Sequence, residues 1–339
     1  MDHSDWIYDS GWVHQEHYAS TMNNVVLPFL KNLRREAWVN GEGGRPLYTV
    51  RYDAQLPRGT VLIVHGFTEC VEKYAEVIYA LLSQGYSVLC YDQRGHGRSW
   101  RAEDLSDPSA THVDRFDEYV EDLKCVRRER LKDMPHPWVL LAHSMGGAVA
   151  AFCLEREPGS FEKAVLSSPM IAPNRGGLPY LGALALCRVQ MALGHGKQRI
   201  LGTKPYDAPE KFETSCASGR ERFDWYEEIR ARTPRMQNNA PTYGWTLEAV
   251  SVTRKLLAPG AVERIQCPVR LYQAETDSSV LPSAQRMFIR RVKNGSFQKV
   301  PGSRHEIYRS PDAVVLPWWQ DVIAFLNEKK KTLRTADDE

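Results

Sequence analysis

The chain has 339 residues, 42% of them hydrophobic and 25% charged, and its 44 Lys and Arg against 42 Asp and Glu leave a formal net charge of +2. This composition excludes a chain that is disordered throughout, and the near balance of charge supplies no basic field to hold a phosphate backbone, so no nucleic-acid partner is expected. Length allows two domains or one α/β domain with an insertion. The start, Met1-Asp2-His3-Ser4-Asp5-Trp6, has neither the cationic head nor the apolar run of a secretory signal. No apolar run approaches the roughly 20 residues that cross a bilayer, so a soluble cytoplasmic chain is expected, with peripheral contact at the inner membrane surface left open. The seven cysteines, scattered and never in a Cys-x-x-Cys pair, read as reduced thiols filling the core.

In chain order, residues 1–40 carry no motif and are expected to form an N-terminal extension wrapping the core. From residue 41 to 169, short β-branched runs alternate with longer amphipathic stretches, the pattern of a mostly parallel sheet flanked by helices. Strands are expected over 47–52, 60–64, 86–91, 138–142 and 163–166, and helices over 72–84, 116–134 and 145–157. The alternation then stops, and 170–266 reads as a helical cap insertion without strands. Within it, the apolar stretch 178–189 fits either a helix packed on the main domain or one lying on something greasy. The second part of the core, 267–330, supplies strands over 269–273 and 297–300 and helices over 284–292 and 313–331, and 331–339 is a charged tail.

The chemistry centres on Ala142-His143-Ser144-Met145-Gly146, directly after the apolar run 139–141 and directly before a helical pattern. A nucleophile exposed on a tight strand-to-helix turn needs small residues two before and two after it, because larger side chains collide there. Ala142 and Gly146 meet that need. A serine hydroxyl is a poor nucleophile near neutral pH, so it requires a base, and the base an orienting carboxylate, in the order Ser, acid, His. Asp277 follows the strand at 269–273, with Glu275 as the rival acid, and His305 follows the strand at 297–300. Backbone donors for a tetrahedral oxyanion are expected from Phe67, after the close-approach residue Gly66, and from Met145. The Gly-rich run from Asp92 to Ser99 lacks the spacing of a phosphate loop and reads as structural, its Asp and Arg side chains buttressing the floor of the site. No pair of His, Cys or carboxylates has metal spacing.

With these landmarks, from His65-Gly66-Phe67-Thr68-Glu69 to His305-Glu306-Ile307, the chain resembles the α/β-hydrolase superfamily. More narrowly it resembles the monoacylglycerol-lipase-like serine hydrolases that include bacterial lysophospholipases. The resemblance implies an α/β-hydrolase fold with a helical cap and an ester substrate bearing one acyl chain and a glycerol-type head. It also implies no cofactor and no metal. Leu178, Leu181, Leu184 and Leu186 then become candidates for an acyl tunnel, and Arg220, Arg222, Arg230, Arg232 and Arg235 for an anionic contact, against core and solvated-face readings. A short-chain carboxylesterase, a peptidase or lactonase on the same triad, and a catalytically silent binding protein stand as alternatives. Oligomeric state is left open.

Overall fold

The computed structural model describes residues 11–328. Its strands are β1 (Arg35–Asn40), β2 (Pro46–Tyr52), β3 (Thr60–Val64), β4 (Ser87–Tyr91), β5 (Ala110–Thr111), β6 (Trp138–His143), β7 (Lys163–Ser167), β8 (Ala240–Pro241), β9 (Val269–Ala274) and β10 (Gly295–Val300). Eight of them form one sheet in the order β1-β2-β4-β3-β6-β7-β9-β10, while β5 and β8 pair separately. Only the pairings of β2 with β1 and with β4 are antiparallel; the rest of the large sheet is parallel.

Each central strand is buried on both faces, so its apolar residues run unbroken and simply alternate sides. In β3, Leu62 and Val64 join one core while Val61 and Ile63 join the other; in β6, Leu140 and Ala142 oppose Val139 and Leu141 in the same way. The first core is closed by α4 (Asp117–Val126), α5 (Met145–Arg156), α8 (Tyr243–Leu256) and α9 (Pro282–Arg291). The second is closed by α3 (Ala75–Ser83) and α10 (Asp312–Asn327), joined by α1 (Tyr18–Thr21) and α2 (Leu27–Leu33). The strand order reverses beside β3, where the chain leaves toward β4 on one side and later returns as β6 on the other. In open α/β sheets such a switch point is where a ligand crevice forms, here at the carboxyl ends of β3 and β6.

The N-terminal stretch does more than wrap the core. Val13, Tyr18, Met22, Val26 and Leu30 pack on the second core, and β1 extends the sheet by pairing Trp38 with Tyr48. Between β7 and β9 the chain forms α6 (Tyr180–Ala192), α7 (Arg220–Ala231) and α8. One expectation fails here: the stretch is not strandless, because β8 pairs with β5 through Ala110↔Ala240 and Thr111↔Pro241. Two residues are too few to leave a periodic signal. The helix expected over 313–331 ends sooner, at Asn327, where Glu328 turns to an extended ψ of 125°; the charged tail lies outside the described residues.

A buried carboxyl on α5 gives the fold a pH dependence. Glu155 is 2% exposed and its Oε1 has no hydrogen-bond partner. Burial pushes its pKa up to about 8, partly countered by Arg264 and Arg156. A folded-state pKa above the unfolded value of about 4.3 means that the folded chain holds a proton the unfolded chain has released, so stability falls as pH rises between the two. Unfolding in denaturant between pH 6 and 8 should show a loss approaching about 1.4 kcal/mol per pH unit that the Glu155→Gln protein lacks. Parallel profiles for the two proteins would refute this assignment.

Candidate active site

Ser144 is the residue between the end of β6 and the first turn of α5, with φ 51° and ψ −119°. A non-glycine residue there is strained by roughly 1–3 kcal/mol, and backbone hydrogen bonds hold it. The Ser144 N–H donates to Ser167 O at 3.1 Å, and its carbonyl accepts from Gly147 N at 2.9 Å and Met170 N at 2.8 Å. Gly146 is required by contact: a Cβ there would stand 2.2 Å from the Val64 carbonyl oxygen. Thr68 and Ser168, after β3 and β7, also have positive φ, at 61° and 44°. Of the four non-glycine residues with positive φ among the described residues, all but His17 therefore stand at the carboxyl ends of neighbouring strands.

Three residues distant in sequence meet at this turn. His305 Nε2 lies 2.8 Å from Ser144 Oγ, and His305 Nδ1 lies 2.8 Å from Asp277 Oδ2. An ionised carboxylate only accepts, so Nδ1 carries the proton and Nε2 is left to accept from the serine hydroxyl. The other Asp277 oxygen accepts from Ser279 N at 2.9 Å and Val280 N at 3.1 Å. Burial works to raise the Asp277 carboxyl, but the hydrogen bond and charge of His305, with those two amides, outweigh it and hold the group below its usual range. Glu275 is exposed instead, tied to Lys299 Nζ at 3.0 Å and Gly302 N at 2.9 Å.

The β3 turn closes on the same point. A Cβ on Gly66 would come within 3.1 Å of Ser144 Cβ, so the backbone entering Phe67 runs directly against the serine. Met145 opens α5, where the first N–H groups have no partner inside the helix and the dipole favours negative charge.

Comparison with known proteins places the chain in a family. The family model described as serine aminopeptidase, S33 (Hydrolase_4) matches residues 55–312. The chain belongs to this S33 hydrolase family. Lysophospholipase L2 of Escherichia coli (strain K12) is 31% identical over 312 residues, which cover 87% of this chain and 88% of that one. Monoacylglycerol lipase of Mycolicibacterium smegmatis is 24% identical, covering 84% of this chain and 94% of that one. Among solved structures, a soluble variant of monoglyceride lipase from Saccharomyces cerevisiae in complex with a substrate analog superposes with a TM-score of 0.69 at 18% identity, over 87% of this chain and 95% of that one. At that identity the likeness speaks for the fold alone, and it is the α/β-hydrolase fold.

Around the three residues this S33 hydrolase builds a buried charged frame that the sequence did not reveal. Glu69 Oε2 accepts from Gly66 N at 2.5 Å and Tyr74 Oη at 2.7 Å, while Oε1 accepts from Tyr308 Oη at 2.6 Å. Lys73 bridges Glu69 at 3.0 Å and Glu306 at 2.5 Å, and Arg309 completes the chain to Glu306 at 2.6 Å. Burial opposes ionisation of Glu69, yet Lys73 and the two tyrosine hydroxyls hold its carboxyl well below the usual range. The turn at Gly66 and the loop of His305 thereby share one rigid set of partners. His143, with its ring 4.8 Å from that of His305, is pushed down to about 4 by burial and adds no positive charge near neutral pH.

Several sequence expectations need correction in the S33 hydrolase. Asp92 does tie the β4 loop to the turn before α3, accepting from Val71 N and Arg98 N at 2.8 Å each. Arg94 does not reach the site: it forks onto Asp122 of α4 at 2.6 and 2.7 Å. No metal-spaced pair is visible in the sequence, but folding brings Cys70, Glu72 and Asp92 atoms within 4.8 Å of one another. Both oxygens of Asp92 are already taken, and Glu72 faces Arg34 and Arg98 at 3.4 and 3.6 Å. Of the five arginines between 220 and 235, four are already paired with carboxylates and only Arg235 stays exposed without an ion pair among the described residues. Arg222, 1% exposed, is clasped by Glu76 and Asp312, Arg230 pairs with Glu227, and Arg220 and Arg232 pair one turn along with Asp224 and Glu228. Of the four leucines, Leu184 packs against α8, whereas Leu178, Leu181 and Leu186 are exposed.

Proposed function

We propose that the protein is a carboxylic ester hydrolase that releases the acyl chain of a single-chain glycerolipid, a lysophospholipid or monoacylglycerol, through an acyl-enzyme. The continuous hydrogen-bonded line from Asp277 through His305 to Ser144 carries this reading. Ser144 Oγ attacks the ester carbonyl as His305 Nε2 takes its proton, and the Phe67 and Met145 amides receive the oxyanion. His305 returns the proton to the departing alcohol oxygen. Water, deprotonated by the same nitrogen, then attacks the acyl carbon, releasing the fatty acid and restoring the serine. The names carried by the relatives, lysophospholipase and monoacylglycerol lipase, support the choice of substrate.

The family description also names an aminopeptidase, so chain length is the deciding variable. Each methylene buried in the transition state adds about 0.8 kcal/mol, so two give about a tenfold gain in kcat/KM. Palmitoyl lysophosphatidylcholine and monopalmitoylglycerol are expected to exceed p-nitrophenyl acetate by more than tenfold, and aminoacyl p-nitroanilides to be inert. Faster acetate turnover would favour a short-chain esterase; anilide cleavage would favour a peptidase.

We also propose that the segment 170–266 acts as a cap over the crevice and that its α6 meets an anionic membrane. Leu181 and Leu193 on this stretch are 73% and 62% exposed, and no Asp or Glu occurs from residue 163 to 206. Among the described residues no helix is long and apolar enough to cross a membrane. Sedimentation with phosphatidylglycerol vesicles should fall at least tenfold for Leu181→Ser/Leu193→Ser; equal sedimentation would end the membrane proposal.

A further inference from the structure

Two contiguous hollows, about 470 and 450 Å³, run along the outer side of α8 and α9 and share Ser283 and Met287. Each is within the roughly 300–1,000 Å³ of small-molecule sites, and neither is lined by Ser144, Asp277 or His305. Leu257 and Leu281 give the first an apolar floor. Its rim is cationic: Arg175 and Arg254 line the first hollow, and Arg286 and Arg290 the second. Arg175 bonds only a carbonyl, that of Leu178 at 3.3 Å, and Arg286 only the Gln273 amide oxygen at 2.8 Å. None of these four pairs with a carboxylate among the described residues, whereas Arg291 beside them holds Glu263 at 2.7 Å. In a chain of net charge +2, four uncompensated guanidinium groups around one apolar trough form a local anion site.

We propose that this groove binds a long-chain fatty acid anion, its chain along Leu257 and Leu281 and its carboxylate among the four arginines. The choice of ligand rests on the function proposed above, since this anion is the product of that reaction. The charge selects it over monoacylglycerol, which offers the arginines no anion, and over lysophosphatidylcholine in net charge, because the phosphate of that zwitterion brings a trimethylammonium that would meet cations with no carboxylate beside them. The groove also touches the machinery. Its floor residue Leu281 donates N–H to Ala172 O at 2.9 Å, and Asn174 N donates to Ser279 O at 2.8 Å, so the groove wall is stitched to the loop that starts at Asp277. Product held there is placed to slow further turnover.

Titration calorimetry with monomeric palmitate tests the assignment on the intact chain. Two equivalents are expected, one in the crevice and one in the groove, and Arg254→Ser/Arg290→Ser should lose one of them. Arg254→Lys/Arg290→Lys, which keeps the charge, should retain it to within a few-fold. Initial rates on monopalmitoylglycerol should be unchanged in the serine variant, and inhibition by added palmitate should weaken at least tenfold. Should the lipid-hydrolase reading fail, one equivalent would remain, still lost in the serine variant. Overturning results are equal stoichiometry in wild type and serine variant, equal loss of uncharged monopalmitoylglycerol binding, or binding of palmitate-bearing vesicles without binding of monomeric palmitate.

Discussion

Replacing Ser144 by alanine should lower kcat by roughly 10⁴- to 10⁶-fold, as removal of the nucleophile does in enzymes whose triad acts as a unit. Nothing nearby can substitute for it. His305 Nε2 addresses only the Ser144 hydroxyl, and His143, the other imidazole beside it, donates from Nδ1 to the Ser167 carbonyl at 3.1 Å and is held neutral by burial. The fold should survive, because the turn is held by backbone bonds to Ser167, Gly147 and Met170 that alanine keeps, and the loss of one hydroxyl hydrogen bond costs about 1 kcal/mol. A fluorophosphonate probe should label the native protein once and the alanine protein not at all, with denaturant midpoints nearly equal. Labelling or turnover that persists in a folded Ser144→Ala protein would remove the serine from this role.

What could be read from the sequence was whatever leaves a local signature. The buried strands β3, β4, β6, β7 and β9 are short runs of branched and aromatic residues, and the serine turn declares itself through the small residues it needs at 142 and 146. Asp277 and His305 follow because each sits in the loop after a recognisable strand. β1 was missed for the opposite reason: Arg35-Glu36-Ala37-Trp38-Val39-Asn40 buries only Val39, and it is a strand only because β2 offers it an edge.

Charged groups were the harder case. Lys73 and Glu306 meet across 233 residues, and no periodicity links them. Arg222 lies on a helix whose charges suggest a solvated face, yet its guanidinium is the most buried part of α7 because Glu76, Asp312 and the Val13 carbonyl surround it. Such groups tolerate burial only when fully paired, and the pairing exists only in three dimensions. The frame of Glu69, Lys73 and Glu306 belongs to this class, which is why the sequence located the reacting residues but not what fixes their spacing.

The second large effect is expected from Asp277→Asn, and the two oxygens of this carboxylate decide its sign. Oδ1 accepts from the N–H groups of Ser279 and Val280, so in the variant the amide oxygen is drawn to that position and the NH₂ is turned toward His305. An NH₂ group donates, which forces His305 Nδ1 to accept and moves the ring proton to Nε2. There it points at Ser144 Oγ, now 2.8 Å from a donor that cannot take the serine proton. A loss of about 10⁴-fold in kcat near neutral pH follows, with KM little changed because the substrate meets the same surface. Glu275→Gln is the matched control: this carboxylate is exposed, bonded to Lys299 and Gly302, and its substitution should leave kcat within about twofold. Equal losses for the two variants, or a larger loss at position 275, would transfer the acid role to Glu275 and break the line of hydrogen bonds on which the proposed mechanism depends.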